Sequence, residues 1–293
     1  MRITGSSSTH LRRWLPGQDS RPAVRPLGWQ TGRMASTIWD HVLTNDLEVP
    51  TDRPLADLTA ELTEMLGSTD PVERDQIAVE VLTTWIDRGV YDDLLVGLGD
   101  GMAAGLDVAS VSPAPTRCSV GASRRVLAAC LERGTAVGLP ATKVFQWGDR
   151  VASWYVREQD HRGFVEGKGW AHAIAHGADA IGVLARSPHF GVNELTVLLD
   201  LIADRLLLPS DEPMVCGEPD RMADATAACL RRNLVPLTVL GPWVRRLVNA
   251  AAATSEGSPH LSSHNPQAFL RALYLKLAFA PDPPRCARTC CSC

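Results

Sequence analysis

Long hydrophobic runs are missing from this chain of 293 residues. No apolar stretch approaches the roughly 18 residues needed to cross a bilayer, so no membrane span is expected and the chain reads as soluble. Arg12-Arg13 has no apolar stretch behind it, and the pattern of an export signal is therefore absent. Lysine is scarce, with Lys143, Lys168 and Lys276 standing among 29 basic residues, and no Lys/Arg stripe occurs. With +5 in residues 1–33 and +1 in residues 281–293, the net charge of −4 leaves −10 for residues 34–280. Phosphate binding needs a basic face, so nucleic acid is not an expected partner. Alternating strands joined by hairpin turns are also lacking, as are the β-branched runs of a βαβ rhythm. Neither GxSxG nor a dinucleotide fingerprint is present, and no nucleophilic cysteine carries a catalytic signature.

Eight cysteines suggest a disulfide framework until their positions are read. Cys118, Cys130, Cys216 and Cys229 are scattered among helical segments, whereas Cys286, Cys290, Cys291 and Cys293 crowd the end. The first four read as buried thiols in a reducing cytoplasm. The terminal group lacks the paired CxxC spacing of a zinc site and follows a Pro-rich break, so residues 281–293 are expected to be a flexible tail. Residues 1–33, with Ser-Ser-Ser, scattered Arg and three Pro, are expected to be a disordered extension. Met34 stands just before a capped-helix pattern at Ser36-Thr37-Ile38-Trp39, so Met1 and Met34 both remain possible starts.

From residue 34 to residue 280 helix signals follow one another, and one helical domain is expected there. Asp70-Pro71-Val72-Glu73 combines an N-cap, a Pro at the first helical position and an acid behind it, with Ile77, Ala78, Val81, Leu82 and Trp85 on one face. Asn265-Pro266 predicts the start of the last helix by the same chemistry, with Leu270, Leu273, Tyr274, Leu277 and Ala278 as its buried stripe. Further helices are expected over 54–66, 91–105, 119–134, 141–158, 167–186, 192–207, 219–233 and 236–252, with Gly or Pro in most gaps. The fold class is all-α, with stacked antiparallel helices in an α-solenoid-like or compact multi-helix array. No repeat of fixed period is present. Tyr91-Asp92-Asp93 resembles the opening of an aspartate-rich magnesium motif, but Gly97 stands where the further acid belongs.

One segment has chemistry beyond that of a helical domain. Within Gly169-Trp170-Ala171-His172-Ala173-Ile174-Ala175-His176-Gly177-Ala178-Asp179, a continuous helix places His172, His176 and Asp179 within an arc of about 60°. Two imidazoles four residues apart can chelate a divalent metal such as zinc, with Asp179 as third ligand or as the group that orients His176. Asp160, His161, Glu166 and His189 are further donors within the segment's reach. A metal-free ligand or acid–base site, or a hydrogen-bonded structural layer, accounts for the same residues. Just before them, Arg162, Glu166, Lys168 and Trp170 stand among three glycines, which points to a tight loop at the mouth of a cleft. A plain connection with an Arg162–Glu166 pair is the simpler alternative. A helical array without a recognised catalytic motif points first to a binding module for a protein, peptide or small molecule, and second to an enzyme using the His172/His176/Asp179 site.

The stretch RGFVEGKGWAHAIAHGADAIGVLARSPHF resembles the signature region of an uncharacterised bacterial family, domain of unknown function 2785, with the likeness extending over about residues 50–280. The resemblance implies a helical bacterial domain and no particular activity.

Overall fold

Apolar spacing decides where the helices form. In Ala141–Arg157 the buried residues are Val144, Trp147, Gly148, Val151, Trp154 and Tyr155, a run of three- and four-residue steps that makes one wet and one dry face. The computed structural model describes residues 38–109, 118–210, 212–253 and 259–280. The expected N-terminal extension, 1–33, and the Cys-rich tail, 281–293, lie outside the described residues.

The chain opens with α1 (Ile38–Thr44) and α2 (Leu55–Met65), then a π-helical stretch, Val72–Val79, that runs directly into α3 (Glu80–Asp87). A short 3-10 turn at Asp92–Leu94 leads into α4 (Leu95–Ala109), followed by α5 (Cys118–Val137) and α6 (Ala141–Arg157). After a two-stranded hairpin, β1 (Phe164–Val165) and β2 (Gly169–Trp170), come α7 (Ala173–Arg186), α8 (Val192–Leu207), α9 (Glu218–Arg231), α10 (Leu237–Ala252) and α11 (Pro259–Ala278). The fold class is all-α, and none of the described helices is long and apolar enough to cross a membrane.

Packing alternates along the chain. Helices α5, α7, α9 and α11 form one row and α4, α6, α8 and α10 a second, and the rows meet where α4 packs on α5, α6 on α7, α8 on α7 and α9, and α10 on α11. One apolar cluster runs through both rows, from Trp39 and Trp85 through Trp147 and Ile181 to Trp243 and Phe269. Helix α7 lies between α5 and α9 and buries eleven of its fourteen residues. Small side chains permit this. A Cβ on Gly177 would fall 2.4 Å from the Tyr155 ring and 2.7 Å from that of Trp154, so only glycine lets α6 come so close to α7.

The structure corrects the sequence reading at several places. Residues 167–172 are not helical: a hairpin occupies 164–170 where no strand is expected, and α7 begins only at Ala173. Gly167 and Gly169 permit the turn by adopting φ of 72° and 77°, which glycine alone takes up without strain. The last helix begins at Pro259, and Pro266 lies inside it. Asn265 caps nothing there; its Oδ1 accepts the Met214 amide at 2.8 Å. Phe269, Ala272 and Leu273 form the inward stripe of α11, while Tyr274 is 70% exposed. The acidic Tyr91-Asp92-Asp93 pattern is occupied structurally, since Arg133 clamps both Asp92 oxygens at 2.7 and 2.6 Å.

Candidate functional site

The site grows from the hairpin that joins α6 to α7. The Lys168 amide donates to the Val165 carbonyl at 3.0 Å and closes a tight turn through Glu166 and Gly167. Phe164 pairs with Trp170 and Val165 with Gly169, and the pairing continues as Ala171 N donates to Gly163 O and His172 N to Arg162 O. Gly169 packs on the start of the π-helical stretch, where its missing Cβ would sit 2.9 Å from Pro71. There the buried Arg74 guanidinium donates to the Lys168 carbonyl at 2.9 Å. On the other strand, a Cβ on Gly163 would lie 2.3 Å from the Cys216 side chain, so the loop before α9 presses directly on the hairpin.

His172 sits at the junction of hairpin and helix in a left-handed conformation, φ 41° and ψ 34°. For a residue with a Cβ that conformation costs about 1–2 kcal/mol. It turns the ring onto Trp170, with centroids 4.2 Å apart and planes within 28°, and brings Nε2 to 2.9 Å from the Cys216 carbonyl. A carbonyl accepts only, so Nε2 carries the proton and donates. Glu218 Oε1 stands 3.9 Å from the same nitrogen. The His176 ring lies 5.9 Å from that of His172 and nearly perpendicular to it. Trp170 also meets Phe164 edge-on at 5.3 Å, and these two aromatics are 48% and 59% exposed. An exposed aromatic platform thus leads inward to two histidines.

His176 Nδ1 is buried, stands 3.7 Å from Asp179 Oδ2, and has no hydrogen-bond partner among the described residues. Burial pushes the imidazole below its ordinary value of 6.5, against the opposing pull of Asp179, and it is neutral at pH 7. Asp179 is gripped by Arg221, whose Nε donates to Oδ1 at 2.6 Å and whose Nη2 pairs with Oδ2. Burial acts to raise the Asp179 carboxyl, but His176 and Arg221 together outweigh it and hold it below the usual range.

The structure brings Trp170, His172, His176 and Asp179 together, although His172 stands before the helix rather than on its face. Arg162 forms a two-armed pair with Asp160, at 2.8 and 2.6 Å. Glu166 lies exposed beside the hairpin turn. Lys168 contributes its backbone carbonyl to Arg74. His161 is bonded to Ser210 at 2.8 Å and His189 to the Leu139 carbonyl at 3.3 Å, so neither joins the pair of histidines. Among the described residues no three His, Cys, Asp or Glu side chains are grouped to hold one metal ion. The Asp179 oxygens face Arg221, and His172 Nε2 faces a carbonyl.

Behind the histidines lies a charged group that the sequence reading did not find. Glu158, just past α6, accepts from Arg124 at 3.1 Å and from the Trp154 indole at 2.9 Å through Oε2, and from the Gln159 and Asp160 amides through Oε1. Its main-chain carbonyl accepts from Arg205. Two of these residues leave a signal in the sequence. Arg205 occupies an inward position of α8 after Leu198, Leu201 and Ile202, and Arg124 does so on α5 before Leu127 and Leu131.

An all-helical array with an exposed aromatic pair and two histidines beside a short hairpin is the class that fold and site define together. Residues 122–275 match the family described as "Protein of unknown function (DUF2785)", and the chain belongs to that family. The matched region holds Phe164, Trp170, His172, His176 and Asp179. No curated protein and no solved structure matches the chain.

Proposed function

We propose that this protein binds a small molecule in the recess that begins at Trp170 and ends at His176. The strained His172 carries this reading. A left-handed, non-glycine residue persists only where its surroundings over-determine it, and here the strain holds an imidazole against an exposed indole, next to a second imidazole whose buried Nδ1 makes no hydrogen bond among the described residues. A structural polar layer would pair His176 Nδ1 instead. The free buried thiols Cys130 and Cys229, which burial pushes up to about 12, support a reducing compartment such as the cytoplasm. Native mass spectrometry of untagged protein tests the reading. Expected is a non-covalent adduct of small mass that is lost in Trp170→Ala and His172→Asn, both still folded. An adduct unchanged in both variants, or a pull-down yielding a protein partner with no small molecule bound, overturns it.

A second reading rests on His176 and Asp179. The neutral imidazole beside a carboxylate is the arrangement of an oriented general base: Nδ1 faces Asp179, and Nε2 is left to take a proton from a ligand. Separations of this kind are often long without substrate and tighten when it binds. His172 and His176 together also offer two nitrogens to a metal such as zinc if the third donor comes from the ligand. Catalytic turnover of the adduct that fails in His176→Gln while binding persists would support the enzyme reading.

A further inference from the structure

The charged group behind the histidines contains more donors than the protein satisfies. Arg124 is 1% exposed and Arg205 2%, yet Nε and Nη1 of the first and Nε and Nη2 of the second have no hydrogen-bond partner among the described residues, nor has the Tyr155 hydroxyl. Each such donor, sealed from water and unbonded, costs about 1–3 kcal/mol. Guanidinium cannot relieve the cost by shedding its proton at neutral pH. Burial nevertheless pulls Arg124 down to about 9, against the attraction of Glu158 and Asp160, so its positive charge is incompletely offset.

The open positions have a specific shape. Arg205 gives Nη1 to the Glu158 carbonyl, which leaves Nε and Nη2, the side-on edge of the guanidinium, unbonded. Those two parallel N–H groups match the two oxygens of a carboxylate or a phosphoryl group. Arg124 gives Nη2 to the Glu158 carboxylate and so is fixed on the same residue. Tyr155, three residues before Glu158 on α6, feels the charge of Arg205 as well as those of Asp179 and Glu218; burial pushes its phenol up, so it remains an O–H donor. The same ring abuts Gly177, the neighbour of His176. Tyr155 therefore links the arginines to the recess. Both guanidinium groups are thus held on Glu158, Arg124 by its carboxylate and Arg205 by its main-chain carbonyl.

We infer that Arg205, Arg124 and Tyr155 form an anion-binding subsite, and that the small molecule carries a carboxylate or phosphoryl group which the Arg205 edge receives. This rests on the small-molecule reading and specifies its ligand class. The probes are inorganic phosphate and acetate, each titrated into the full-length protein against sodium chloride at matched ionic strength. Thermal unfolding and the fluorescence of Trp154, over which Arg124 lies, are followed together. Expected is a saturable response to phosphate or acetate, with the unfolding midpoint raised by about 3 °C at tenfold over Kd. Phosphate alone identifies a phosphoryl group, and acetate alone a carboxylate. Arg205→Lys and Arg124→Lys keep the charge and lose the fork, so each should weaken binding about tenfold or more. Trp170→Ala should leave the anion response intact while abolishing the adduct seen by native mass spectrometry, so the subsite and the platform can fail separately. If neither anion exceeds chloride in the wild type, or the response is undiminished in both lysine variants, the inference is overturned. The wild-type titration decides even if the variants do not fold.

Discussion

The Arg124 guanidinium carbon stands 3.4 Å from the centroid of the Trp154 ring, and both side chains donate to the same oxygen of Glu158. A cation over an indole face contributes up to about 2 kcal/mol when desolvated. Here it fixes a charged side chain on α5 against α6 with little freedom left to either.

Glu158→Gln should therefore be strongly destabilising, by about 3–5 kcal/mol, because it strands a buried guanidinium. Chemical denaturation checks this. The double variant Arg124→Met/Glu158→Gln should recover part of the loss, since the stranded charge is gone.

His176 predicts a pH dependence. Its folded-state value lies below the ordinary 6.5, so in the window beneath 6.5 the unfolded chain binds more protons than the native one. Stability is complete above that value and declines as pH falls through it towards the lowered folded value. Half-buried His161 is shifted in the same direction and adds to the slope. Thermal midpoints between pH 7.5 and 5.5 should fall less steeply in His176→Gln than in the wild type.

Gly177→Ala pits two effects against each other. Alanine gains about 1 kcal/mol of helix propensity, but its methyl group meets the Tyr155 ring at 2.4 Å, and overpacking of that kind costs about 1–3 kcal/mol. A net loss of stability is expected. Gly101→Ala in α4, with nothing within 4 Å of the new methyl, should instead be stabilising by up to about 1 kcal/mol.

His172→Asn should separate binding from stability. Asparagine tolerates the left-handed conformation better, and that gain offsets the loss of the Trp170 stack, worth about 0.5–1.5 kcal/mol. Unfolding free energy should stay within about 1 kcal/mol of the wild type while the small-molecule adduct disappears.

Elemental analysis of untagged protein addresses the metal version of the site. With Asp179 held by Arg221 and His172 Nε2 by the Cys216 carbonyl, zinc is expected to be substoichiometric and unchanged in His172→Ala/His176→Ala. Stoichiometric zinc that vanishes in the double variant would reverse that expectation.

What the sequence determined by itself is the set of regularities that act over one or two turns. The stripe from Val144 to Tyr155, the Asp70-Pro71 start and the inward face of Ile174, Ala178, Ile181 and Leu184 all rest on regularities that any helix obeys; the structure has the two stripes helical and buried, and the Asp70 carboxylate accepting the Val72 amide. The segment from Arg162 to Asp179 also stands out in the sequence, because glycines, an indole and two imidazoles together suit neither a solvated face nor a core. Tertiary structure decided the rest. The three glycines before Trp170 are compatible with a helix start or a hairpin, and contact with Pro71, Arg74 and Cys216, all distant in sequence, selects the hairpin. That choice moved His172 off the helix and into a strained turn. Asp179 is as plausible a metal ligand as any carboxylate until Arg221, forty-two residues on, reaches its oxygens. Arginine on an amphipathic helix reads as a surface residue, and only the packing of α5 and α8 around the end of α6 buries Arg124 and Arg205 with donors left open. Spacing constrains a residue's neighbours within its own helix; the partners that fix its charge, its hydrogen bonds and its role come from elsewhere in the chain.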